Sequence, residues 1–158
     1  MTNWNVPVLG QTTSETCWEA VGHMMWLWRY PGDEAGYRAR AGQHLQMQHS
    51  FTTTETGQFY RLLGMLERDD AEPEFLRHQI HLGPLAVLVG TGDNLHAEVL
   101  VGCVGDNYTF NNPQAQAILN FGDDGADGPE VPQVGGTTTA PAADFSSPRA
   151  WWWPPHSS

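Results

Sequence analysis

The hydrophobic pattern of this chain changes period once, at Gly83-Pro84, and that change limits what it can fold into. Before it, apolar residues recur at helical spacing. From Cys17 to about Tyr30 the positions Val21, Met24, Met25 and Trp28 share a face, Trp18 and Trp26 add bulk elsewhere, and Pro31-Gly32 stops the run. A weaker helix is expected over 34–45 and a clearer one after Thr54 through Phe59, Leu62, Leu63 and Leu66. A short helix starting at Pro73 and running to about Gln79 follows, proline being favoured in a first turn. After Gly83-Pro84 come β-rich runs at 85–89, 96–104, 108–111 and 117–121, separated by Gly, Asp and Asn, with Gly105-Asp106-Asn107 as a hairpin turn. Helices first and strands afterwards predict an α+β domain, a helical half and then an antiparallel β half, and argue against an alternating βαβ sheet.

A length of 158 residues suits one compact domain. Beyond Phe121 the composition turns to Gly, Asp, Pro, Thr and Ala, too poor in apolar surface to order itself independently. The expected division is therefore a folded domain over 1–121 and a C-terminal tail over 122–158, with Trp151-Trp152-Trp153 docking on the body or on a partner. Apolar runs fall well short of the ~18 residues that cross a bilayer, and the first residues lack the pattern of a secretory signal peptide. No membrane partner is expected, and the chain is expected to stay in the cytosol of its producer unless dedicated machinery exports it. A net charge of −11, with seven arginines and no lysine, argues against a nucleic-acid partner. The missing lysine fits genomic base composition; the sharper alternative is avoidance of ubiquitin attachment in a eukaryotic host. Two cysteines cannot make a disulfide scaffold, and the Cys17 to Cys103 spacing fits no zinc pattern. His78 with His81, and His44 with His49, lack a matching carboxylate or cysteine set, so no metal and no other cofactor is expected.

One cysteine stands where chemistry is favoured. Cys17 follows a polar loop and begins a helix, where the positive end of the helix dipole stabilises a thiolate; the plainer alternative is a buried structural cysteine. Gln11 precedes it by six residues and Trp18 follows it, giving Gln-x5-Cys-Trp. A thiol nucleophile needs a base, and the base needs an orienting group. The second half supplies both: His96-Ala-Glu-Val-Leu-Val-Gly-Cys-Val opens a strand, and the return strand ends in Asn111-Asn112-Pro113. A simple two-residue turn sets Asn112 opposite Val101, so Asn112 and His96 would have to meet diagonally. Asp106 and Asn111 are alternative orienting groups.

These residues resemble the papain family in kind and in chain order, Cys then His then Asn, with Ala97 and Gly102 matching the His-Ala and Val-Gly pattern of that family. The resemblance implies a two-lobe papain-like fold, with a central helix starting at the nucleophile and an antiparallel β lobe. It further implies that Cys17 is the nucleophile, His96 the acid/base and Asn112 the group that orients it, while the Gln11 amide completes an oxyanion hole. The chain departs from the classical pattern at Glu15, where glycine is usual, and at Pro113-Gln114, which replaces Ser-x-Trp. Its compactness, Cys-Trp-x-Ala at the helix start and Asn-Pro after the last motif strand are similar to bacterial effector proteases and double-glycine peptidases. The implied activity is a cysteine peptidase acting on a protein or peptide through a thioester. It is expected as a bacterial effector or toxin delivered by a specialised secretion system, with a cognate inhibitor protein covering the cleft. The same triad also serves acyl transfer, deamidation and amidase chemistry, and an inactive binding module is the non-enzymatic alternative. Gly135-Gly136 is the sort of site that double-glycine peptidases cut, which would allow self-processing; the plainer alternative is a flexible linker with incidental glycines.

Overall fold

The computed structural model describes residues 2–10, 16–47, 49–90, 95–113 and 136–155. Among them, helix α1 spans Cys17–Arg29, α2 Glu34–Ala41, α3 Thr53–Leu63 and α4 Pro73–Gln79, with a 3-10 turn at Gly42–Gln46. The strands are β1 Thr2–Asn3, β2 Leu66–Ala71, β3 Leu85–Val89, β4 His96–Val104, β5 Asn107–Asn112, β6 Gly136–Pro141 and β7 Ser147–Trp152. Local chemistry explains the ends. Thr52 and Glu55 form a capping box that starts α3, and Gly64 at φ 113° closes it, so Leu66 falls outside the helix expected to hold it. The expected 34–45 helix is α2, capped by Asp33, followed by the 3-10 turn that Gly42 at φ 55° introduces.

The strands form one antiparallel sheet in the order β2-β7-β3-β4-β5-β6, with β1 pairing the far end of β4. Strand alternation splits its side chains between two cores. Ala86, Leu88, Ala97, Val99, Val101 and Trp151 face α1, whose Val21, Met24 and Met25 are wholly buried. Leu85, Val87, Leu100, Tyr108, Phe110 and Ala150 face the other way, against Leu76 and Ile80 at α4.

Two features depart from the order of helices then strands. Strand β2 lies between α3 and α4 in sequence; its Leu-Glu-Arg-Asp-Asp-Ala run has poor strand propensity and is held as a charged edge by pairing with β7. The larger departure concerns residues 136–152, which lie in the region expected to be a tail. They supply β6 and β7, and β7 sits between β2 and β3 inside the sheet. Averaging composition over 122–158 lets its Gly- and Asp-rich first part mask the alternation of the second. The tryptophans do dock: Trp151 is fully buried and donates Nε1 to Glu67 at 2.7 Å, and Trp153 donates Nε1 to the Met25 carbonyl at 2.8 Å. The β-rich run expected at 117–121 lies outside the described residues. No helix among the described residues is long and apolar enough to cross a membrane.

Candidate active site

Helix α1 begins at Cys17, and the first N–H groups of any helix have no partner within it. Here the N–H groups of Cys17 and Trp18 act on the Cys17 sulfur, and from the sheet the Ala97 N–H donates to Sγ at 3.4 Å. The helix start is anchored on several sides. Trp18 stacks flat on Phe51 with ring centres 3.7 Å apart and donates Nε1 to the His49 carbonyl, while the Tyr60 hydroxyl donates to the Trp18 carbonyl. These contacts fix the position of Cys17 at the start of the helix.

His96 opens β4, the residue before Ala97, so the contact between Ala97 and the sulfur puts the imidazole's strand against the start of α1. Across the sheet, His96 Nε2 lies 2.7 Å from Asn112 Oδ1. An amide oxygen only accepts, so this bond puts the imidazole proton on Nε2 and makes Nδ1 the basic nitrogen. The register that permits it is not the simple one. The turn is Gly105-Asp106, with Val104 opposite Asn107, and regular pairing from there would put Asn112 opposite Val99 and on the α1 face. A bulge between Leu100 and Gly102 takes up one residue, so that Asn111 stands opposite Val99 and Leu100 opposite Phe110. Asn112 therefore shares the face of His96 and lies closer to it than the expected pairing with Val101 allows.

The alternatives are occupied elsewhere. Asn111 points to the opposite face and donates Nδ2 to the carbonyls of Val6 and Pro7, tying down the N-terminal segment. Asp106 sits in the turn, its carbonyl accepting from Ala142 N–H. Gln11 and Glu15 lie outside the described residues, as does Gly135, while Gly136 is the β6 residue paired with Asn112.

Electrostatics divide the site. Burial pushes the Cys17 thiol up, against the pull of the Ala97, Trp18 and Cys17 N–H groups. Burial pushes the His96 imidazole down, against its hydrogen bond to Asn112. Burial thus favours the neutral forms of both groups, while the N–H groups around Sγ favour a thiolate. A further acid, Glu98, lies two residues beyond His96, is 6% exposed, and is pushed up to about 7 by burial, with the Thr138 hydroxyl donating to Oε1 at 3.5 Å. Sequence reasoning passed over it; the available signal was a lone charge within the otherwise apolar run from Ala97 to Val101. The histidine pairs considered for metal have other roles: His81 Nδ1 pairs with the Thr2 hydroxyl, and His44 packs against Phe59.

The sequence profile of the family described as "Papain-like cysteine protease AvrRpt2" matches residues 1–123. Among solved structures, the chain is similar to the crystal structure of a double glycine motif protease from an AMS/PCAT transporter in complex with the leader peptide. That likeness has a TM-score of 0.57 at 18% identity and covers 98% of this chain and 95% of the other, which makes the α+β fold papain-like. The search of curated proteins returned no match.

Proposed function

Because the chain belongs to the papain-like cysteine protease family of the AvrRpt2 type, we propose that it cleaves peptide bonds with Cys17 as nucleophile, His96 as acid/base and Asn112 as the orienting group. The observation that carries this is one connected set: the Cys17 sulfur on the Ala97 N–H at 3.4 Å, and the neighbouring imidazole held by Asn112 at 2.7 Å. Attack moves the thiol proton to His96 Nδ1 as sulfur bonds to the substrate carbonyl carbon. In this reading the N–H groups at the start of α1 stabilise the negative charge on the carbonyl oxygen, and the role assigned to Gln11 is to supply a further amide donor. His96 returns the proton to the leaving amine, a thioester remains, and water activated by the same imidazole resolves it. No step needs a metal or a cofactor.

The substrate class is protein or peptide. The solved relative holds a leader peptide, which supports an extended polypeptide in the cleft of this chain too. Delivery into a target cell as an effector or toxin, and a cognate inhibitor protein that covers the cleft, belong to the same reading; co-expression with neighbouring genes should then relieve any toxicity.

Two measurements test the proposal. An epoxysuccinyl thiol-protease inhibitor should add to Cys17 in the wild type and not after His96→Ala. Proteome-wide N-terminal labelling should then yield new termini with active protein and none with Cys17→Ala. Products carrying a one-dalton Gln-to-Glu change or a crosslink, without new termini, would reassign the same residues to deamidation or acyl transfer. A folded protein with no adduct at Cys17 would remove the enzyme reading altogether.

A further inference from the structure

Five of the seven tryptophans use the indole N–H inside the fold: Trp4 donates Nε1 to the Ile80 carbonyl, Trp18 to that of His49, Trp26 to that of Asp33, Trp151 to the Glu67 carboxylate and Trp153 to the Met25 carbonyl. Trp28 and Trp152 have no such acceptor among the described residues, and neither N–H is closed off from the surface. Both line one groove of about 360 Å³, where the end of α1, the turn from α4 into β3 and the end of β7 meet. Its wall includes Leu82, at 62% exposed the most exposed large apolar side chain among the described residues. The two indoles are braced from behind: Trp4 meets Trp28 edge-on with ring centres 5.8 Å apart, and Phe75 meets Trp152 likewise at 5.3 Å. The groove lies at the far end of α1 from Cys17, 13 residues or about 20 Å along the helix. Among the described residues that line it, Arg29 alone is charged.

We infer that this groove docks a proline-rich segment of a partner protein, with an acidic residue beside the prolines. The polar groups on its walls select the occupant. Trp28 and Trp152 donate hydrogen bonds and cannot accept them, Arg29 is a donor and a cation, and only Gln79 has a side-chain acceptor. An ordinary extended chain laid on such a wall turns backbone N–H groups toward apolar surface that cannot accept from them. Proline keeps the carbonyl and has no N–H, so a run of prolines brings acceptors alone. Its polyproline II form is extended before it binds, so little order is lost on docking, and aromatic-lined grooves are the surfaces that take it. The indole faces and Leu82 then cover the pyrrolidine rings. Arg29 makes the groove a positive point on a chain of net charge −11, which favours an acid in the partner and disfavours a lysine. Docking of this kind needs neither Cys17 nor His96.

The test is a titration of the nitrogen-15-labelled full chain with decaproline, read by NMR from the seven indole N–H signals. The Trp28 and Trp152 signals, identified by their loss in Trp28→Phe and Trp152→Phe, should shift to saturation and exchange more slowly with solvent. Those of Trp18, Trp26 and Trp151, already bonded within the fold, should stay in place. Each Phe variant keeps a ring and loses the N–H, so fluorescein-labelled decaproline should bind it about three- to tenfold more weakly by anisotropy. Leu82→Ser, at an exposed position, should weaken binding by about tenfold. Replacing the fifth proline by Glu should tighten binding about two- to fivefold and replacing it by Lys should loosen it as much, a contrast lost at high salt. Trp28 and Trp152 signals unmoved at about 2 mM decaproline, or moved equally by a Gly-Ser decamer, would overturn the inference. Signals that shift with protein concentration alone, and not with decaproline, would give the groove to a second copy and overturn it too. Equal affinity for the Glu and Lys peptides would overturn the acidic part of it.

Discussion

Asn112 holds His96 through a single hydrogen bond at 2.7 Å, and the tautomer of the imidazole depends on it. Asn112→Ala should leave Cys17 able to be alkylated but lower kcat/KM by about 10²-fold, because the ring loses the partner that keeps Nδ1 basic and aimed. Asn112→Asp should recover part of that loss, a rescue that a merely structural position would not show. Glu98 carries a separate prediction, for stability. Its folded carboxyl ionises at about 7, whereas an unfolded one does so near the ordinary ~4.3, so the folded state binds the extra proton between those values. Stability is then fullest below that window and is lost across it, levelling off above about 7, by at most about 4 kcal/mol. Urea midpoints should show this decline in the wild type and a flatter profile in Glu98→Gln. That Cys17 starts a helix and that His96 and Asn112 belong to one hairpin was legible in the sequence, from the polar loop before the helix and the turn residues between the strands. The raised ionisation of Glu98 was not, since it comes from burial, and burial of one acid in a strand is decided by the neighbouring strands.

At the level of elements, helix α1 is the best-announced part of the chain. Its apolar stripe and the Pro31-Gly32 stop are both local signals, and the helix runs from Cys17 to Arg29. What holds it against α3 is less visible: at Gly22 an added Cβ would come within 2.7 Å of the Phe59 ring and 3.1 Å of Leu63. Gly22→Ala should therefore overpack this contact and cost about 1–3 kcal/mol by denaturant unfolding, despite the better helix propensity of alanine. The β4–β5 hairpin was legible as a hairpin but not in its register. The extra residue at Val101 goes with a close approach of β1, whose Thr2 carbonyl would lie 2.5 Å from a Cβ added at Gly102. That approach joins residues about a hundred positions apart in the chain, and no local pattern encodes it. Gly102→Ala should push β1 away from β4, read as faster amide exchange at Trp4, whose N–H donates to the Val101 carbonyl at 2.7 Å.

For the molecule as a whole, the mixture of helices with an antiparallel sheet followed from the single change in period, but the sheet's order did not. Sequence order places β7 last, whereas in space it lies between β2 and β3, pairing Ala150 with Val87 and Trp151 with Ala86. Local composition is blind to such an insertion, because Ser-Pro-Arg-Ala-Trp-Trp gains its strand from two waiting partners. Trp151 is fully buried against Tyr60 and α1, so Trp151→Ala should cost about 3–5 kcal/mol and lower Tm by about 10 °C or more in calorimetry.

This threading also governs when the sheet can close. During translation β3 and β4 leave the ribosome well before the segment that must slot in beside them, and until it arrives β3 lacks its second neighbour and the tryptophans that close over α1. A half-made chain thus carries Cys17 and His96 on a sheet still missing its last internal strand.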